Sequence, residues 1–350
     1  MKRIMFPAIL AVCLVALTAC NNKTSNSNSE KSSKALSSIT ESECSSITAK
    51  APKIELSGKP EDTFTATSDC YVESDKVILF IQKGVTIKGD TLKITEKVMN
   101  DLSVTSGLTF NENYTSEDNL IDWQENYFDK DSFTDINKNK DKINVLITKL
   151  ENGEIQWAND NIALLDQNDY IFKDTQYQTI YHELSHVIQF RNGISLGSVL
   201  DEGFATYLAD KAGRTARFPI WNSVQYFYPY QFDESIVKGG EKTFKYMYGD
   251  KDTNYQYGIR FITFLYDTYG KDAYNRILTK ATKDKFSSGW DVKDENGSQK
   301  RNTESLVKII KSQTSNDVFE KFTTWYVKNW SIKGKEYKAY MKSIGLDVPN

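Results

Sequence analysis

The sequence predicts an α+β fold. Short apolar runs of strand character come first, amphipathic helical periodicity follows, and a helix carrying both histidines of the 350-residue chain joins the two parts. Sheet first and helices afterwards argue against a regular alternation of strand and helix.

The chain opens on Lys2 and Arg3, followed by an apolar run from Ile4 to Leu17, the pattern of an export signal spanning residues 1–19. The run ends Leu17-Thr18-Ala19-Cys20, which resembles the lipobox of bacterial lipoproteins. That resemblance implies cleavage before Cys20 and lipid attachment to it, and so a protein held at the extracellular face of the cytoplasmic membrane. Loss of Lys2 and Arg3 would take the net charge from −3 to −5, and with no basic block the chain offers nothing for nucleic acid.

Residues 20–43 are mostly Ser, Asn, Lys and Thr, a composition that cannot bury a core and reads as a disordered tether. A flexible coil of that length spans about 25–30 Å root-mean-square. Residues 44–350 form the folded part, with 39% hydrophobic and 13% aromatic content over the whole chain matching a globular domain. Of four cysteines, Cys13 leaves with the signal and Cys20 is committed to lipid, leaving Cys44 and Cys70 as a candidate disulfide or as two free thiols.

Within residues 44–192, Lys76–Gln82 is a buried-strand candidate and Thr91–Leu102 a helix with Leu92, Thr95, Val98, Met99 and Leu102 on one side. The charged stretch 111–141 reads as a solvated excursion. Ile143–Thr148 and Asn161–Leu165 are further strands. Gln178–Arg191 is a helix with Ile180, Leu184, Val187 and Ile188 as its apolar stripe, stopped at Gly193. Residues 193–350 are mostly helical. Ser198–Ala209 is a short helix, and the aromatic stretch 218–232 is either a lid or apolar substrate wall, or a loop packed onto the core. Asn254–Tyr269 is an amphipathic helix closed by Gly270, with Thr303–Ser312 and Asn316–Trp330 the clearest later segments.

Chemistry concentrates in His182-Glu183-Leu184-Ser185-His186. On a helix, residues four apart lie about 40° apart and one turn above each other, so both imidazoles reach one zinc ion at about 2.0 Å. Glu183 projects about 100° away, beside the metal, where a general base belongs. Catalytic zinc usually takes a third protein ligand. Without a third histidine or a nearby cysteine that ligand is a carboxylate: Glu202 is the best placed, with Asp201 and Asp210 as alternatives.

The first motif followed by Asp201-Glu202-Gly203-Phe204-Ala205 resembles the glutamate-zincins (gluzincins) of the peptidase MA clan, especially its peptidase MA-like bacterial members. The resemblance extends from about Ile143 to Tyr269 and implies a zincin-like metalloprotease fold, zinc on His182, His186 and Glu202, and Glu183 as catalytic base. Tyr255-Gln256-Tyr257-Gly258 is similar to the Tyr-x-x-Gly of the zinc aminopeptidases, which implies that Tyr255 supports the oxyanion, with Tyr257 as rival. Two departures stand out. Thr206 occupies the place of an aspartate that orients a zinc histidine in thermolysin-type relatives, and Trp157–Asn161 lacks the amine-holding Gly-x-Met-Glu-Asn. The expectation is a zinc metallopeptidase acting on a peptide or protein. The alternatives are a non-catalytic metal-binding lipoprotein and a zinc amidase acting on cell-wall material.

Overall fold

The computed structural model describes residues 45–46, 54–57, 63–66, 68–82, 85, 91–110, 142–148, 156–158, 162–167, 177–212, 239–249, 255–289, 292–293 and 299–343. Cys20, Cys44 and the stretches 111–141 and 218–232 lie outside them.

The elements that position the site begin with β1 (Ser45–Ser46), the paired β2 (Ile54–Ser57) and β3 (Thr63–Ala66), β4 (Ser68–Glu73) and β5 (Val77–Gln82). Helix α1 (Thr91–Ser106), β6 (Ile143–Thr148), β7 (Trp157–Ala158) and β8 (Ile162–Asp166) follow. One six-stranded sheet runs in the order β1-β4-β5-β6-β8-β7. Strands β5, β6 and β8 are parallel, with Leu79 opposite Val145 and Val145 opposite Ala163, while β1, β4 and β7 add antiparallel edges. The inner strands bury every residue of Val77–Ile81, Ile143–Thr148 and Ile162–Leu165, which is why they read as continuous apolar runs rather than alternating ones.

Helix α1 stands between β5 and β6 in the chain and runs four residues beyond the expected end at Leu102. It buries Thr91, Thr95, Val98, Met99, Leu102 and Ser106, a stripe at helical spacing. Fully burying each of its large apolar side chains contributes about 1.5–3 kcal/mol.

Two helices then pass through the core. Helix α2 (Tyr177–Asn192) keeps Ile180, Leu184, Val187 and Ile188 fully inaccessible, as the periodicity predicts. It ends before Gly193, where an added Cβ would lie 2.6 Å from Leu278. Helix α3 (Ser198–Ala212) is buried on nearly every side from Val199 to Asp210, with Glu202 the partly exposed exception. Its apolar character all round marks a central helix rather than a surface one.

Helices α4 (Glu241–Gly249), α5 (Tyr255–Tyr269), α6 (Asp272–Lys283), α7 (Thr303–Gln313) and α8 (Val318–Ser343) complete the described part, with a two-stranded piece of β9 (Val292–Lys293) and β10 (Gln299–Lys300) between α6 and α7. The last helix continues thirteen residues past the expected end at Trp330. Phe244, Tyr257, Phe261, Phe319 and Phe322 interlock where α4, α5 and α8 meet, with Phe244 and Phe319 centroids 4.8 Å apart. Such pairs add about 0.5–1.5 kcal/mol beyond burial, so this seam holds α5 firmly from one side. Among the described residues, no helix is long and apolar enough to cross a membrane.

Candidate metal centre

Helix α2 presents His182 and His186 one turn apart, and α3 returns Glu202 to the same point. Nε2 of His182 lies 3.0 Å from Oε2 of Glu202 and 3.2 Å from Nε2 of His186, while His186 Nε2 lies 3.4 Å from the same Glu202 oxygen. Ligand atoms bound at about 2.0–2.1 Å around one tetrahedral centre stand about 3.3 Å from each other. The three edges of this triangle are therefore those of three corners of a zinc tetrahedron, and two imidazoles with one carboxylate are a donor set suited to zinc. Among the described residues, His182, His186 and Glu202 form the one group of this kind. The structure thus brings together the three residues that the sequence singles out as a ligand set.

Electrostatics reinforce the arrangement. Burial works against a charged imidazole at His186, but Glu202, by charge and hydrogen bond, and Asp201 beyond it raise the pKa above the ordinary histidine value. Burial likewise works against a charged Glu202, yet the two imidazoles hold its carboxyl well below the usual carboxylate range. A charged carboxylate beside two imidazoles is a group whose protons can be exchanged for a dication on metal binding. The Glu202 side chain is 22% exposed and that of His182 19%, so the cluster is open on one side.

The two carboxylate alternatives fare differently. Asp201 is not in the metal-ligating group and accepts hydrogen bonds from Gln189, Ser195 and the amides of Leu196 (3.0 Å) and Gly197 (3.1 Å). It clamps the turn between α2 and α3, and burial pushes its carboxyl up to about 6 against these donors. Asp210 is buried two turns further along α3 and takes no part in the metal-ligating group.

Glu183 is 6% exposed on the helix face next to the ligands. A carboxylate in such a low-dielectric position feels nearby charge strongly. Thr206 donates its hydroxyl to the Glu202 carbonyl at 2.7 Å, one turn back, so it does not orient a histidine. His186 Nδ1 is buried without a hydrogen-bond partner among the described residues, and the His186 ring stacks on Phe190 at 5.8 Å.

Tyr255 begins α5, and its side chain lies outside the described residues. Its rival Tyr257 is 1% exposed inside the aromatic seam, with burial driving its phenol far above the ordinary value. The candidate disulfide is likewise outside the description, although the backbone pairs Ser46 with Cys70.

Sequence reasoning missed two things here, the Asp201 clamp and a close contact between α3 and α5. An added Cβ on Gly203 would meet Gly258 backbone at 2.4 Å, and one on Gly258 would meet the Val199 carbonyl oxygen at 1.9 Å. The glycines in Asp201–Ala205 and Tyr255–Gly258 were a signal that only a pairing of the two segments interprets.

No family model and no curated protein matches the chain. Among solved structures it is similar to the M1 zinc metallopeptidase from Deinococcus radiodurans, at 12% identity and a TM-score of 0.36 over 74% of this chain and 51% of that one. A mutant of the same enzyme gives a TM-score of 0.35 with the same identity and coverage. This chain spans about half the length of that protein, at 51% coverage. Similarity that slight assigns no activity, so the chemistry rests on the site.

Proposed function

We propose that this chain is a zinc-dependent metallopeptidase of the gluzincin type, tethered by lipid on Cys20 at the extracellular face of the bacterial cytoplasmic membrane, where it cleaves peptides or proteins. The observation that carries the enzymatic reading is the convergence of three ligand atoms, from the chain's only two histidines and from Glu202, at 3.0–3.4 Å. The tether reading rests on the sequence from Lys2 to Cys20.

His182, His186 and Glu202 would hold zinc, which when bound supplies a Lewis acid that acidifies water towards a pKa of about 7 and polarises a carbonyl. Glu183 accepts the proton of the attacking water and returns it to the leaving nitrogen, so the carboxylate ends the cycle as it began. Tyr255 donates a hydrogen bond to the oxyanion that develops on the scissile carbonyl. His186, buried and braced by Phe190, fixes the orientation of the ligand pair.

Digestion of a mixed peptide library by purified protein tests this reading. Zinc-loaded protein should cleave, chelator-treated protein should not, and restored zinc should restore cleavage. Zinc-loaded protein that leaves the whole library intact would contradict it.

A further inference from the structure

The centre takes two ligands from α2 and the third from α3, so its shape depends on where α3 is held. Helix α3 meets α5 at a point where neither helix carries a side chain. A Cβ on Gly203 would lie 2.4 Å from the carbonyl carbon of Gly258 and 2.7 Å from its Cα, and a Cβ on Gly258 would lie 1.9 Å from the carbonyl oxygen of Val199. All of these are backbone atoms, and backbone cannot rotate aside as a side-chain tip can. Gly258 therefore beds between Val199 and Gly203, one turn apart on α3.

Both glycines sit next to proposed chemistry. Gly203 directly follows Glu202, and Gly258 lies one turn after Tyr255 on α5. The flank of α5 beside Gly258 is held by the seam of Phe244, Phe261, Phe319 and Phe322, so α5 cannot shift freely if the crossing is widened. A methyl group at either glycine would demand a separation of about 1 Å or more, given ordinary carbon contacts. Sites of this kind tolerate about 0.5 Å.

We propose that the Gly203–Gly258 crossing is a positioning device for the metal centre: it sets where α3 presents Glu202 and couples metal binding there to the first turns of α5. This rests on reading His182, His186 and Glu202 as a metal site. The glycines touch no substrate; they act through Glu202 and α5.

Gly258→Ala should weaken zinc binding at least tenfold and change the visible spectrum of the cobalt(II)-substituted protein. Ile310→Val trims a buried side chain of α7 instead, away from the crossing, and should lower the melting temperature while leaving affinity and spectrum close to wild type. Amide exchange in the wild-type protein gives a readout that no variant has to survive. Zinc should slow exchange in the first two turns of α5 as well as in α2 and α3. Zinc protection confined to α2 and α3, or a Gly258→Ala protein with wild-type affinity and spectrum, overturns the proposal while the metal reading stands. A wild-type protein that binds no zinc overturns both.

Discussion

Acidification should expel zinc from this centre along a slope set by its histidines. In the metal-free protein, Glu202 lies 3.0 Å from His182 Nε2 and 3.4 Å from His186 Nε2, so a proton on an imidazole is held by a carboxylate. Zinc needs the lone pair that the proton occupies, and the proton must leave. Below the raised pKa of His186, each pH unit should weaken zinc about tenfold per displaced proton, or about 1.4 kcal/mol. The metal-free fold follows a different curve. His186 is raised from 6.5, so its contribution is full below 6.5 and is lost as the pH rises through the raised value. Glu202 is lowered from 4.5, so its contribution is full above 4.5 and is lost as the pH falls through the lowered value. The cluster therefore stabilises the metal-free protein most between 4.5 and 6.5, and the increment from zinc should grow above that window. Zinc at 1,000 times its Kd adds about 4 kcal/mol. Thermal unfolding with and without buffered zinc, from about pH 5 to about pH 8.5, spans the range in which histidine titrates. An increment that is flat with pH, or largest on the acid side, refutes this reasoning.

Other expectations are as direct. Asp201→Ala strands donors from Gln189, Ser195, Leu196 and Gly197 and should cost roughly 3–5 kcal/mol in denaturant unfolding, with Asp201→Asn costing less; unchanged stability would remove the clamp. Tyr255→Phe should lower kcat by about 10²–10³ through loss of one oxyanion donor, and wild-type kcat would return Tyr255 to a packing role. Cys20→Ala should move the protein from the membrane fraction to the medium, and unchanged membrane association would end the lipid-anchor reading.

The grouping of His182, His186 and Glu202 was legible because its logic is local. His182 and His186 are neighbours on any helix, and Glu202 follows in a segment whose apolar residues fix its face. The inner strands were legible for a similar reason, since a strand buried on both sides must be apolar throughout. What remained hidden depends on long-range pairing. Nothing in Asp201 tells a metal ligand from a clamp until the turn at Ser195–Gly197 folds back over it. The close contact of Gly203 and Gly258 joins residues 55 positions apart. The strands from Ser45 to Ala66 are two to four residues long, too short for the alternation of Ile54-Glu55-Leu56-Ser57 to stand out, and Gly334 disguises the length of α8 because an interior glycine costs helix stability.

The central claim is that Glu202 completes a zinc site on which Glu183 acts as base, and zinc per chain measured beside peptide-cleavage rate tests it most directly. Glu183→Gln removes no ligand and should keep wild-type zinc while losing about 10²–10⁴ in rate. Glu202→Gln replaces a carboxylate ligand by a neutral amide, and zinc and activity should both go on mild dialysis. Wild-type zinc retention in Glu202→Gln, or wild-type cleavage by Glu183→Gln, would contradict the account.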